Sequence, residues 1–505
     1  MTLANAMVLV DQTAVPLTLP AIMRHYEVGS QMVQWVLNGS LVSLAAFLVL
    51  GCQLGDLLGR RRVFTIGTLA FAAASACAAF APTFWLLIVF RAIQGAGGAL
   101  MLPTTVALVS AAFTGSRRGV ALGTMGGIAA VAGAAGPVIG GVLTATLGWP
   151  AVFLINVPLA IVAVITTWVA IPSDTPQGAS GRIDLVGAAL LAAGIVTLIV
   201  GLSQSQSWGW DSPAVWALLV AAAIAGTAFV VVERRRDQPL VDLGLLRRSP
   251  YYRTGVISQG MAGAAEMGLG VILPLLLILN LGMSPGLAGL ALLPASVPLI
   301  FIAPLVGRWY DKAGTRPPMF TGYLLLAASG LLLARGGFTG NYWLVLPGLL
   351  LYGGGLAVVL TVNDPVSLSD VPEAAQGQAA GVSATAEQFG GAFGIAAFYL
   401  VFHSTYVSQL HAIIDRGPLA DLNPAQYARL REDIIAAEST GLKPKLFDPL
   451  LSPYLNAAFT ASAWGYAVAF LGVLLLGVAG CILAARSERY ATSSTAVDAD
   501  SSPAD

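Results

Sequence analysis

Long apolar runs separated by short polar breaks fill this chain from end to end. A helix needs about 20 mostly apolar residues to cross the hydrocarbon core of a bilayer. Runs of that kind lie near residues 3–23, 33–54, 63–81, 85–112, 119–147, 151–171, 184–203, 213–232, 254–280, 286–308, 319–335, 342–362, 378–402 and 461–485. The pattern predicts an all-α integral membrane protein of fourteen transmembrane helices, with both termini on one side. The basic residues choose the side. Arg60, Arg61, Arg62, Arg117, Arg118, Arg182, Arg234, Arg235, Arg236, Arg247, Arg248, Arg308, Lys312 and Arg486 fall in alternate loops or tails, whereas the opposite short loops hold only Arg24 and Arg335. Positively charged short loops stay inside, so both termini are expected in the cytoplasm.

Composition narrows the class further. Charged residues make up 10% of the 505, and hydrophobic residues 57%; ordinary soluble domains carry roughly 25% charge. A soluble chain of this length could not cover its surface with so few charges. The formal net charge is zero, so no nucleic-acid partner is expected. Cys52, Cys77 and Cys481 form neither a disulfide framework nor a metal-ligand spacing. His25, His403 and His411 fall in expected outer loops, again at no metal spacing. No phosphate-cradling glycine loop ending in Lys-Ser/Thr occurs, so ATP is not the expected energy source and no cofactor or metal is expected. The first cation is Arg24, so 3–23 reads as a membrane helix and not a cleaved signal. That helix starts close enough to Met1 to leave an upstream start codon open.

A repeat divides the chain. The loop after the second run reads Cys52-Gln-Leu-Gly-Asp56-Leu-Leu-Gly59-Arg60-Arg61, and the loop after the tenth reads Gly307-Arg-Trp-Tyr-Asp311-Lys-Ala-Gly314-Thr-Arg316. Each shows an Asp, a Gly three residues on and an Arg two beyond. Transporters are commonly built from two related halves that rock about a central site. The expected organisation is a six-helix bundle over 1–172, two inserted helices over 173–233 and a cytoplasmic linker over 234–253. A second six-helix bundle over 254–489 follows, with an outer loop at 403–460, and then a disordered tail over 490–505. The linker contains a basic amphipathic stretch, 241–248, suited to the membrane surface.

Three further segments carry chemistry. Asp11-Gln-Thr-Ala-Val-Pro16-Leu-Thr-Leu-Pro20 puts an acid inside the first run. An ionisable group at membrane depth is costly and by default signals function; the alternative is an interfacial position. Arg91-Ala-Ile-Gln94-Gly95-Ala-Gly97 places an arginine about six residues, roughly 9 Å, inside the fourth run. Such a guanidinium must find an acceptor or snorkel. Gly136-Pro137-Val-Ile-Gly140-Gly141 in the fifth run lets helices approach closely and permits a bend.

In this order and spacing the segments resemble the fourteen-helix drug:proton antiporter branch of the major facilitator superfamily, over nearly the whole chain. The resemblance implies a major facilitator fold of two six-helix bundles plus two extra helices. It implies that Asp11 and Arg91 take part in proton coupling. It also implies that Asp56, Gly59, Arg60, Arg61, Asp311, Gly314 and Arg316 form a cytoplasmic gate, and that Gly136, Pro137, Gly140 and Gly141 form the motif that marks exporters. The chain departs from the pattern where Pro16 replaces Asn, where Cys52 replaces Gly and where Glu387 replaces a basic or amide residue.

Two acids outside those segments, Glu266 and Glu387, lie well inside the ninth and thirteenth runs and are candidates to bind a proton or a cation. Trp35, Asn38 and Gln94 are candidate pocket residues. The expected activity is proton-coupled export of hydrophobic, cationic compounds by a monomer in a bacterial inner membrane; its partners are a small-molecule substrate, protons and the lipid bilayer. A dedicated exporter of one endogenous metabolite is the close alternative. A membrane-embedded transferase is the distant one, since no catalytic Ser/His/Asp pairing is evident.

Overall fold

In the computed structural model, which describes residues 2–112, 116–171, 184–236, 239–372, 376–415 and 452–487, the apolar runs are helices and the described residues contain no strand. They are α1 (Thr2–Tyr26), α2 (Trp35–Leu58), α3 (Arg60–Ala79), α4 (Phe84–Ala112), α5 (Ser116–Thr146), α6 (Pro150–Ala170) and α7 (Leu185–Trp208). The chain continues with α8 (Pro213–Glu233), α9 (Pro250–Asn280), α10 (Pro285–Ala313), α11 (Arg316–Thr339), α12 (Tyr342–Leu368), α13 (Gln376–Asp415) and α14 (Ser452–Ser487). Thirteen of these contain described stretches long and apolar enough to cross a membrane; the other is α5, a continuous 31-residue helix over the remaining expected span.

Several helices run past the ends expected from hydropathy. Helix α12 extends to Leu368 and α13 to Asp415, while α14 begins at Ser452. The expected outer loop 403–460 is therefore helical at both its ends, because the polar residues there sit on turns that continue the helix beyond the apolar run. His403 belongs to α13 and stacks on Tyr399 with ring centroids 5.9 Å apart, so it is not a loop residue. The middle of that loop, 416–451, the tail 490–505 and the Asp56 side chain lie outside what the structure describes.

Proline accounts for the break in α1. Pro16 has no N–H to offer Gln12, and Pro20 has none for Pro16. The backbone tightens into a 3-10 turn over Val15–Thr18, and the Leu19 N–H bonds Pro16 oxygen instead.

Close glycine contacts repeat in the two halves. In the first, Gly95 of α4 sits on the Ser40 backbone of α2, and Gly97 sits on Gly67 and Phe71 of α3. In the second, Gly353 of α12 sits on the Ala295 backbone of α10, and Gly355 sits on Gly322 and Leu326 of α11. A side chain at any of these positions would force the helices apart, which is why small residues mark helix contacts in a solvent that supplies little hydrophobic drive. The turns repeat as well. Gly59 between α2 and α3 has φ +94°, and Gly314 between α10 and α11 has φ +74°.

The inserted helices α7 and α8 pack on each other, and α7 also lies against α2 and α13. Helix α8 exposes Trp216, Val220, Ile224 and Val231. In water such a stripe would be a liability; in a bilayer it faces its proper solvent. At the arginine-bearing end the linker is tied down. The Val241 N–H donates to Glu233 Oε2 (3.0 Å), and Gln378 Nε2 on α13 donates to the Pro239 and Leu240 carbonyls (2.7 and 2.9 Å). Asp242 caps the short helix Leu243–Arg248, which buries Leu245 and exposes Arg247 and Arg248, as an amphipathic surface segment requires.

Candidate functional site: buried acids in the helix bundle

Asp11 and Arg91 meet in the interior of the first half. Arg91 Nη1 donates to both carboxylate oxygens of Asp11 (2.9 and 2.8 Å) and to Gln94 Oε1 (2.6 Å), while its Nε donates to the Val36 carbonyl (2.6 Å). Arg91 is 1% exposed and Asp11 3%. Gln94 Nε2 in turn donates to Asp11 Oδ1 (3.0 Å) and Ser75 Oγ (3.2 Å). Ser75 also receives Asn156 Nδ2 (3.0 Å) and donates to the Phe153 carbonyl (2.8 Å). One network thus binds α1, α2, α3, α4 and α6. A buried ion pair survives only when its remaining hydrogen-bonding capacity is used as well, and here the Val36 carbonyl and both ends of the Gln94 amide use it. Ser75 was not distinguishable from the other small residues of its apolar run; its role arises from where α3 places it.

The motif on α5 packs on both halves. Gly136 and Gly140 lie against Thr13 and Ala14 of α1. Gly141 lies against Pro285 and Gly286, and Gly289 of α10 lies against the Pro137 carbonyl. Gln12 on α1 makes a second bridge between halves, donating to Gln388 Oε1 on α13 (2.9 Å).

In the second half, α9 and α13 approach through Gly260, Gly263, Gly390 and Gly394. Gln259 Nε2 on α9 donates to Glu387 Oε2 on α13. Glu387 and Glu266 lie within electrostatic reach of each other, and Tyr352 of α12 donates to the Ala265 and Glu266 carbonyls (3.5 and 3.4 Å). Both glutamates are half-buried, and no lysine or arginine among the described residues forms an ion pair with either.

The remaining candidates separate. Gln94 joins the Asp11 network, Trp35 packs partly buried against the core, and Asn38 is wholly buried with neither amide atom hydrogen-bonded. Gly59 and Gly314 are the hinges of the repeated turns. Arg61 Nη2 donates to the Trp168 carbonyl (3.1 Å), and its guanidinium lies 4.4 Å from that ring's centroid. Arg60 and Arg316 are also engaged, and Asp311 is exposed. No group of three or more His, Cys, Asp or Glu gathers as a metal site among the described residues.

Comparison with known proteins places this architecture. The chain is 31% identical to the tetracenomycin C resistance and export protein of Streptomyces glaucescens, over 95% of this chain and 89% of the relative. It is 31% identical to the multidrug resistance protein Stp of Mycobacterium tuberculosis, over 85% of this chain and 79% of the relative. Among solved structures, an inward-facing bacterial homologue of the human lysosomal transporter Spinster aligns with a TM-score of 0.66 at 15% identity, over 96% of this chain and 95% of that one. These are transporters, so the transferase alternative falls away. The family model of the Major Facilitator Superfamily matches residues 1–395, and the chain belongs to that superfamily.

Proposed function

We propose that the protein is a proton-coupled antiporter that exports hydrophobic, cationic compounds by alternating access, in a bacterial inner membrane with both termini in the cytoplasm. The names of its relatives support export of drugs or antibiotics. The observation that carries the coupling is an asymmetry of charge between the halves. Asp11 is matched by Arg91, whereas no cation among the described residues pairs with Glu266 or Glu387. Protonating Asp11 would strand a buried guanidinium, at a cost on the order of 3–5 kcal/mol. Protonating Glu266 or Glu387 strands nothing. These two acids are therefore the better proton carriers, and the Asp11–Arg91 pair is a tie that holds the first half together through the cycle. A cationic compound and a proton compete for the same carboxylates. Each drives the change of access only through its differential affinity for the two states.

The test is proton release. Adding ethidium to the purified, weakly buffered protein should release protons, and E266Q with E387Q should abolish the release. Release that survives the double variant but vanishes in D11N would return the carrier role to Asp11. Export of a single endogenous metabolite is the second reading, favoured by relatives named for one antibiotic; a protein that moves no dye but moves one natural product would establish it.

A further inference from the structure

The start of α7 and the end of α8 bring two carboxyls together outside every motif. Asp184 caps α7, its Oδ1 accepting the Gly187 N–H (2.8 Å), and Glu233 closes α8, its Oε2 accepting the Val241 N–H (3.0 Å). The two residues are 4% and 3% exposed. Each has a second oxygen, Asp184 Oδ2 and Glu233 Oε1, that is buried and has no hydrogen-bond partner. Those oxygens stand over the same glycine. A Cβ placed on Gly187 would lie 2.5 Å from Glu233 Oε1 and 2.8 Å from Asp184 Oδ2. Buried polar atoms are normally satisfied, and two carboxylates that share a site do not both stay ionised without cost.

The charged groups nearby leave one positive charge missing. Arg236 Nη2 lies 3.5 Å from Asp184 Oδ1 and is 47% exposed, so it offsets part of one carboxylate. In the linker, Asp242 pairs with Arg248 (3.7 Å). On α13 the Gln378 amide is bonded to the Pro239 and Leu240 carbonyls. The cluster of buried residues around Val241 takes in Val49 of α2, Tyr252 of α9 and Ala379 of α13, and Tyr252 is its only titratable member among the described residues. A proton carried on Glu233 Oε1 and donated to Asp184 Oδ2 would give both oxygens their missing partner. Asp184 is the better anion of the two. A backbone N–H and a guanidinium already face it, whereas no guanidinium among the described residues pairs with Glu233.

We propose that Asp184 and Glu233 hold a single proton between them, and that this proton latches the linker onto the inserted helices. Losing it sets two buried carboxylates against each other, parts the start of α7 from the end of α8 and frees the 239–248 segment. The latch stands apart from the export reading and does not depend on it. Infrared spectra of the purified full chain at neutral pH test the proton. E233Q, whose amide still accepts from Val241 and donates to Asp184, should lose one protonated-carboxyl band relative to wild type. An unchanged band would show that Glu233 is ionised and would overturn the proposal. Hydrogen exchange of the 239–248 amides, corrected for intrinsic rates, tests the latch in wild type even if E233Q fails to fold. Raising the pH should lower protection by up to about tenfold per unit, the limit for release of one proton, and folded E233Q should show no such fall. Wild-type protection that ignores pH, or that responds to sodium at fixed pH instead, contradicts a shared proton.

Discussion

Gln12 on α1 donates its side-chain amide to Gln388 on α13 across 2.9 Å, a buried bond between the halves whose members stand next in sequence to Asp11 and Glu387. A bond in that position holds the halves together, and any motion of one half against the other must break or carry it. Truncating one partner leaves the other amide buried and unbonded, which costs about 1–3 kcal/mol. Q12L and Q388L should each lower the thermal unfolding temperature, and the double variant should lose less than the two singles added. A strictly additive double variant would show that the two amides do not share a bond. Efflux should change in both singles, because the balance between access states shifts with this contact.

Arg91 offers a sharper cycle. R91A removes the counter-charge of Asp11 and two further hydrogen bonds, to Val36 and Gln94, so it should destabilise by about 3–5 kcal/mol. R91K should recover little, since an ammonium cannot reach Val36, Asp11 and Gln94 at once. Adding D11N to R91A removes the stranded charge and should restore part of the loss, measured by thermal unfolding in detergent.

Much of this was legible in the apolar pattern. Helix number, the repeated turns at Gly59 and Gly314 and the motif on α5 all came from local signals, because a bilayer demands long apolar helices and tight turns demand glycine. The pairing of Asp11 with Arg91 was legible only as two costly groups that each needed a partner. What stayed hidden has a common cause. Asp184 and Glu233 stand at the ends of apolar runs, where a charge reads as solvated, and they are buried because α7, α8 and the linker meet there. Gln259, Ser75 and Gln12 are uncharged polar residues in apolar runs; their partners are set by packing between distant helices, which no local spacing records.

Gly140 and Gly141 are neighbours that should fail differently. A side chain at Gly140 meets Ala14 of α1, within one half, whereas one at Gly141 meets Pro285 of α10, in the other half. G140V should reduce folded yield. G141V should leave a folded protein by gel filtration but slow its transport, because only the contact between halves is disturbed. Equal loss of yield in both would contradict the assignment.

The turn glycines give a stability prediction free of any transport assay. Gly59 (φ +94°) and Gly314 (φ +74°) occupy backbone conformations that a Cβ disfavours. G59A and G314A should each lower stability by about 1–3 kcal/mol, seen as a drop in unfolding temperature. Alanine at Gly226, which has a negative φ and open space around it, should not.

The most direct measurement of the central claim is dye accumulation in inside-out membrane vesicles with an acid interior. The account predicts that wild type concentrates ethidium inside the vesicles while the pH gradient lasts, that a protonophore stops it, and that the E266Q/E387Q pair abolishes it in folded protein. Accumulation that ignores the gradient, or that persists in the double variant, would contradict proton-coupled export through these two acids.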